Sequence, residues 1–289
     1  MQPVRFIALP VAGLLFVLSA CTPATSGQEH PSPSASSRTA ERPAPDVDKS
    51  GESVREHPEE RIRETYRGVT PKEWGEQVRG VITRFETKEP LIALTFDACG
   101  GPRGSKFDQA LVDHLIREQI PATLFVNSRW IDANRDTFLR LSENPLFEIG
   151  NHGTEHRPLS VNGRSVYGIR GTSDPAHAFR EVWLNHEKIR NLTGREPKFF
   201  RAGTAYYDEV AVRIVHETGE RVAGFDVVGD GGARFSASQV KQALLSAKPG
   251  SIVILHFNQP NGETFEGLRQ AIPVLKQRGF RFVKLEDVL

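Results

Sequence analysis

From residue 91 onward the chain alternates between two hydrophobic rhythms. Short apolar runs fall at 91–96, 122–126, 147–149, 198–201, 221–228, 251–257 and 280–285. Continuous runs of this length suit strands buried on both faces of a parallel sheet. Between them lie segments with apolar residues three and four apart, the mark of amphipathic helices, at 108–119, 132–142, 176–192, 208–218, 236–247 and 264–278. In the first of these Ala110, Leu111, Leu115 and Ile116 share one face. Pro121, Gly194 and Gly219 stop helices, and Ser236 or Ser238 stands where a cap belongs. Seven strands alternating with helices predict a parallel α/β fold, as an open sheet or a barrel. Residues 157–175, rich in Gly, Ser and Arg, read as a long loop, which in a compact domain usually serves function. Residues 78–85 read as a short strand or hairpin arm leading in, with order beginning around 59–74.

The N-terminal quarter has a different pattern. Residues 22–60 are rich in Ser, Pro, Thr, Ala and charge, and bury too little to offset their ordering entropy, so they read as a disordered tether. Upstream, Arg5 precedes an apolar run over 6–18, then Leu18-Ser19-Ala20-Cys21. Basic, apolar, small is the order of a secretion signal. The cysteine at the cleavage point resembles the lipobox of bacterial lipoproteins, which implies loss of residues 1–20 and acylation of Cys21. Thr22 in place of Asp resembles outer-membrane sorting in a host with two membranes. The expected organisation is a lipoprotein signal at 1–21, a tether and lead-in at 22–75, and one domain at 76–289, lipid-anchored in the cell envelope and facing the periplasm or exterior.

With 289 residues, 38% hydrophobic and 25% charged, the chain can bury one sizeable core. A net charge of +1 argues against nucleic acid as the main partner. No interior stretch is long and apolar enough to span a bilayer. The only cysteine besides Cys21 is Cys99, so with Cys21 acylated no intramolecular disulfide forms and stability comes from packing. There is no GxGxxG or Walker loop, which argues against a nucleotide cofactor, and a monomer is expected.

Candidate chemistry gathers at the strand ends. The first strand ends in Asp97, the third runs into Asn151-His152-Gly153-Thr154-Glu155-His156, and the fourth ends in Arg201. The fifth runs out through Asp226 to Asp230, and the sixth ends in His256. Asp97 alone reads equally well as a turn or helix cap. In a parallel α/β fold, however, these ends share one rim, so the polar groups converge. His152 and His156, four apart after a strand and facing a carboxylate, suit a catalytic divalent metal such as zinc. A buried Arg201 needs a partner, Asp230 or Asp97. His256 can deliver a proton near neutral pH. His30, His57, His114, His177, His186 and His216 read as structural.

The order of these motifs resembles the NodB-type polysaccharide deacetylases, carbohydrate esterase family 4, over residues 90–289. Thr95-Phe96-Asp97 is similar to the first motif and His152-Gly153-Thr154-Glu155-His156 to the H-[ST]-x-x-H metal motif. Arg201-Ala202-Gly203-Thr204-Ala205, Asp226 to Asp230, and Ile254-Leu255-His256 resemble the third, fourth and fifth. Pro121-Ala122-Thr123-Leu124-Phe125-Val126 is similar to the family's second strand. The resemblance implies a distorted (β/α) barrel of about seven parallel strands and metal-dependent removal of N-acetyl groups from amino sugars. It implies zinc, cobalt or nickel held by His152 and His156, and Asp97 as general base. It further implies an oxyanion position near Thr204, His256 as acid, and Arg201 with Asp230 orienting the base.

Two departures stand out. The family's first motif carries a second Asp as the metal's carboxylate ligand, and here that position is Ala98. The third motif lacks its usual prolines, and Gly231 stands where a Trp is common. Three repairs of the ligand set are open: Asp97 itself, Cys99 as a thiolate, or an outside acid such as Asp108. Asp97 is the one the sequence reading favours, Cys99 being read more readily as a buried, inert thiol. The expected function is deacetylation of an envelope or extracellular glycan: peptidoglycan, chitooligosaccharide or poly-N-acetylglucosamine. The alternative is a non-catalytic glycan-binding lipoprotein on the same fold, which the Ala98 replacement supports.

Overall fold

The computed structural model describes residues 58–289. The signal segment, Cys21 and the tether up to residue 57 lie outside the described residues. In chain order the body begins α1 (Pro58–Thr65), β1 (Val81–Ile82), β2 (Leu91–Ala98), α2 (Gln109–Arg117) and β3 (Ala122–Val126). There follow α3 (Ser128–Ala133), α4 (Arg135–Glu143), β4 (Phe147–Asn151), β5 (Ser165–Val166), β6 (Ile169–Arg170) and α5 (Pro175–Thr193). The remainder runs β7 (Phe199–Phe200), α6 (Glu209–Glu217), β8 (Arg221–Ala223), β9 (Val227–Val228), α7 (Ala237–Leu245), β10 (Ser251–His256), α8 (Thr264–Gln277) and β11 (Arg281–Val283).

The main sheet has nine strands in the order β1-β8-β7-β4-β3-β2-β10-β9, with β11 also paired to β2. Every pairing in it is parallel. The sheet is curled. Ala93, Phe125, Phe199, Ala223 and Ile252, from strands as far apart in that order as β8 and β10, meet in one interior cluster. The stretch 221–228, expected as one strand, explains how the two sides approach. Its first half, β8, pairs with β1 and β7; its second half, β9, pairs with β10 on the opposite side. Gly224 N donates to Ile82 O at 2.8 Å and Asp226 N to Ile252 O at 3.1 Å, so the chain crosses between them. The expected barrel of seven strands is thus a curled parallel sheet whose edge segments are only two or three residues long.

Faces follow the pleat. Ile92, Leu94, Phe96 and Ala98 of β2 pack into the cluster that also holds Leu111, Leu115, Trp130, Val240 and Leu268 of α2, α3, α7 and α8. Ala93, Thr95 and Asp97 face the interior. A second cluster joins α1, α5 and α6 through Ile62, Val182 and Val215. α1 therefore belongs to the folded body, which starts upstream of the expected boundary at residue 76. The helices are capped as their sequences dictate: Asp108, Asp174 and Asp208 each accept from the backbone N–H three residues on, at 3.0, 2.9 and 2.7 Å. The expected helix 132–142 is two helices meeting at Asn134, and the loop 157–175 contains the hairpin β5–β6.

Candidate active site

Asp97, His152, Arg201, Asp230 and His256 all come to the C-terminal rim of the sheet. His256 lies directly beside Asp97, its register partner across β10 and β2. Arg201 reaches across the interior from the end of β7. Its Nη1 donates to Asp97 Oδ1 at 2.8 Å and to Thr95 Oγ1 at 2.9 Å. Nε and Nη2 donate to the carbonyls of Ala223 and Gly224, both at 2.9 Å, and the guanidinium lies 4.2 Å from the Phe125 ring centroid. A fully buried cation is tolerable only with its donors satisfied in this way.

Of the two partners open to Arg201, the structure selects Asp97. Asp230 belongs to His256. Its Oδ1 meets His256 Nδ1 at 2.9 Å, and its Oδ2 accepts from His256 N at 2.7 Å and Thr264 Oγ1 at 3.0 Å. Burial works to lower the His256 pKa, but the facing Asp230 carboxylate and the hydrogen bonds to Asp230 and Cys99 raise it well above the usual imidazole value. Asp230 is therefore the partner of His256, not of Arg201. Asp226 is elsewhere: it accepts from Ile252 N and Ser251 Oγ, both at 2.9 Å, and pairs with Arg84 at the opposite end of β10.

The metal question turns on three residues. One ligand atom each from Cys99, His152 and His156 lie within 4.8 Å of one another. Cys99 Sγ is 3.9 Å from His152 Nε2. His152 Nδ1 faces the Arg201 carbonyl at 2.8 Å; a carbonyl only accepts, so Nδ1 carries the proton and Nε2 offers its lone pair to the cluster. His156 Nε2 is buried without a hydrogen-bond partner. An orphaned imidazole nitrogen, a second imidazole of fixed tautomer and a thiol form a donor set that fits zinc or cobalt.

The favoured third ligand, Asp97, is not part of this group. Its Oδ1 is taken by Arg201, and its Oδ2 stands 3.7 Å from His152 Nε2. Asp108 is the α2 cap. The physical reason lies in the pleat: Ala98 points to the helix side with Phe96, while Cys99, leaving the strand at the Gly100-Gly101 turn (φ +69° and +78°), swings back over the rim. Burial would raise the Cys99 thiol. The neighbouring His156 and the contact with His152 outweigh it and hold the thiol well below its usual range.

A second tier of residues, marked by no motif in the sequence, holds the 152–157 loop. Glu181 of α5 accepts from Glu155 N at 2.8 Å and Arg157 N at 3.2 Å. Asn127 Nδ2 donates to the carbonyls of His152 and Gly153 at 2.9 and 2.8 Å. His156 sits at φ +62°, in the left-handed region, with Gly203 against it; a Cβ at 203 would come 2.5 Å from the His156 carbonyl carbon. Thr204 follows at the same place, its Oγ1 buried and unpartnered. The signal available in sequence was slight: an acid on the inner face of a helix, and a glycine after the rim arginine. Where the family has a Trp, Gly231 (φ +58°) lies under the Phe235 ring, which occupies the space a side chain would need.

Residues 84–223 match the family model described as Polysaccharide deacetylase. The chain is 28% identical over 206 residues to a bifunctional xylanase/deacetylase of Pseudobutyrivibrio xylanivorans, covering 69% of this chain and 30% of that protein. It is 27% identical to a chitooligosaccharide deacetylase of Bradyrhizobium sp., over 68% of this chain and 90% of the relative. A peptidoglycan-N-acetylglucosamine deacetylase of Bacillus cereus is 26% identical, over 70% and 89%. Among solved structures, a peptidoglycan N-acetylglucosamine deacetylase superposes with TM-score 0.60 at 24% identity, over 72% of this chain and 91% of that one. A family 4 acetyl xylan esterase from Clostridium thermocellum with a cobalt ion superposes with TM-score 0.56 at 26% identity, over 68% and 89%. Asp97, His152 and Arg201, which lie within the matched span, come to one rim with Asp230 and His256 just beyond it, and residues 84–223 are thus similar to the polysaccharide deacetylases in sequence and in fold.

Proposed function

We propose that this chain is a metal-dependent hydrolase that removes N-acetyl groups from an amino-sugar glycan, chitooligosaccharide or peptidoglycan, in the cell envelope. The observation that carries the reading is the convergence of Cys99, His152 and His156 beside Asp97 and His256. The three would hold the metal, zinc first among candidates because a thiolate donor suits it. A divalent cation in that position supplies a Lewis acid for the amide carbonyl and lowers the pKa of water. Asp97, its Oδ1 held by Arg201, presents Oδ2 to accept the attacking water's proton. His256, tied through Nδ1 to Asp230, presents Nε2 to protonate the departing amine. Thr204, whose Oγ1 is buried without a partner, would supply a donor to the developing oxyanion. The basic, apolar and small-residue order ending at Cys21 supports a lipid anchor, which would keep the domain near a large envelope substrate.

One observation favours a second reading, a glycan-binding protein without turnover: the family's carboxylate ligand is replaced by Ala98, which packs away from the rim. One experiment separates the two. Metal content is measured by mass spectrometry, and acetate release from chitooligosaccharide and peptidoglycan is followed with zinc, cobalt or nickel added. The hydrolase reading expects bound metal and acetate, both lost in His152→Ala. Metal-free protein that retains glycan and releases no acetate would sink it.

A further inference from the structure

Next to the rim, and used by none of the chemistry above, three aromatic rings form one cluster at the surface, Tyr167 exposed and Trp74 and Tyr206 half-buried. Trp74 and Tyr206 pack with ring centroids 5.8 Å apart at 55°, and Tyr167 meets Tyr206 edge-on at 5.6 Å and 82°. Arg164 Cζ lies 5.0 Å over the Trp74 ring. We propose that Trp74, Tyr167 and Tyr206 form a sugar-stacking subsite that holds a glycan unit beyond the one being deacetylated. The chemical class of its ligand rests on the glycan reading above.

Each ring is placed by backbone. Gly75 and Tyr207 exchange both N–H···O bonds, at 3.1 and 3.0 Å, which sets Trp74 beside Tyr206. Tyr206 O accepts from Leu159 N at 2.9 Å. Tyr167 occupies the tip of the β5–β6 hairpin at φ +53°, followed by Gly168 at +74°. Two successive positive φ values make a tight hairpin turn of the kind that favours Asn-Gly or Asp-Gly. A tyrosine there is strained, and at 71% it is the most exposed of the large hydrophobic residues among those described. Folding gains little from such a placement, so an outlier of this kind points to a role at the surface.

The cluster is continuous with the catalytic rim. Tyr206 stands three residues after Gly203, which touches His156, so the two are at most about 11 Å apart along the chain. The chemistry is that of a pyranose: ring faces to cover its C–H side, with the Arg164 guanidinium and two phenol hydroxyls for its hydroxyl rim. Three rings are also too small a patch for a stable protein interface, which needs on the order of 1,200 Å².

The test uses Tyr167→Asn, which removes the ring and places a favoured residue in the turn, with Trp74→Ala and Trp74→Phe beside it. Binding of N-acetylglucosamine oligomers is followed by tryptophan fluorescence, and deacetylation of dimer and pentamer is compared. The subsite requires that Tyr167→Asn and Trp74→Ala lower the preference for pentamer over dimer about tenfold, and that Trp74→Phe keep most of it. Unchanged length preference in all three variants, with acetate still released, overturns the subsite and leaves the hydrolase reading intact. Wild-type protein that releases no acetate yet binds long oligomers through Tyr167 supports the subsite and removes the hydrolase. Equal, length-independent binding by every form overturns the subsite and leaves the surface to a protein partner.

Discussion

Arg201 and Asp97 form an ion pair at 2.8 Å in which the arginine is fully buried and the aspartate side chain is 4% exposed. The pair is structural, since the same guanidinium binds two carbonyls of the β8 side and one hydroxyl of β2. Breaking a buried pair leaves an uncompensated charge, at about 3–5 kcal/mol. Arg201→Met is therefore expected to lower unfolding free energy by about that much in urea denaturation, and Asp97→Asn in the same background to restore part of it. Equal losses in the single and double variants would contradict the coupling.

Cys99→Ser keeps the size of the side chain and removes the soft donor. Zinc affinity in a competition titration is expected to fall by more than the roughly 10- to 100-fold that loss of an outer-shell partner brings. Unchanged affinity would return the third-ligand role to Asp97.

Ala98→Asp restores the family's residue without restoring its function. The side chain would enter the cluster of Phe96, Val126, Trp130 and Phe257 rather than the site. A cost of about 2–4 kcal/mol in stability is expected, with no gain in metal affinity.

Glu181 acts through the loop that carries His156. Removing both acceptor oxygens in Glu181→Ala is expected to lower metal affinity about 10- to 100-fold, measured by titration. Glu181→Gln, which keeps one acceptor, should recover part of the loss. The buried side chain also fixes Gly153, where a Cβ would come 2.5 Å from Glu181 Oε1.

Stability should respond to pH through Glu148, at the far end of β4. Burial is the main influence on it and raises its pKa to about 7, against hydrogen bonds from Thr123 and Glu286. The folded protein thus holds a proton that the unfolded chain has lost above about pH 4.5. The contribution is fully present below that pH and is lost as pH rises through about 7. Glu148→Gln is expected to stabilise the protein at pH 8 by up to about 3 kcal/mol and to flatten the decline of Tm between pH 5 and 8.

Much of this architecture is legible in the sequence because burial and period coincide. The apolar runs of β2, β3 and β10 appear where expected, and Asp97, Arg201 and His256 end strands as their positions imply. What was not legible depends on direction and on long-range pairing. Nothing local says that Ala98 faces the helices and Cys99 the rim, because the chain leaves the pleat between them. The split of 221–228 into β8 and β9 is set by which neighbours each half finds, β1 and β7 or β10. Asp230's choice of His256 over Arg201 follows from the same curl. Glu181 and Asn127 are invisible as site residues until the helix and the loop they serve are in place.

The in-register pairing of His256 with Asp97 means that these two side chains are spaced by the sheet itself. Neither helix drift nor loop exchange can retune that gap, because it is the distance between two hydrogen-bonded backbones. Only a slip of β10 along β2 would change it, and a slip of one residue would turn Ile254 and His256 outward together. The spacing of this rim is thereby insulated from variation in its own surroundings, leaving the loops above free to vary.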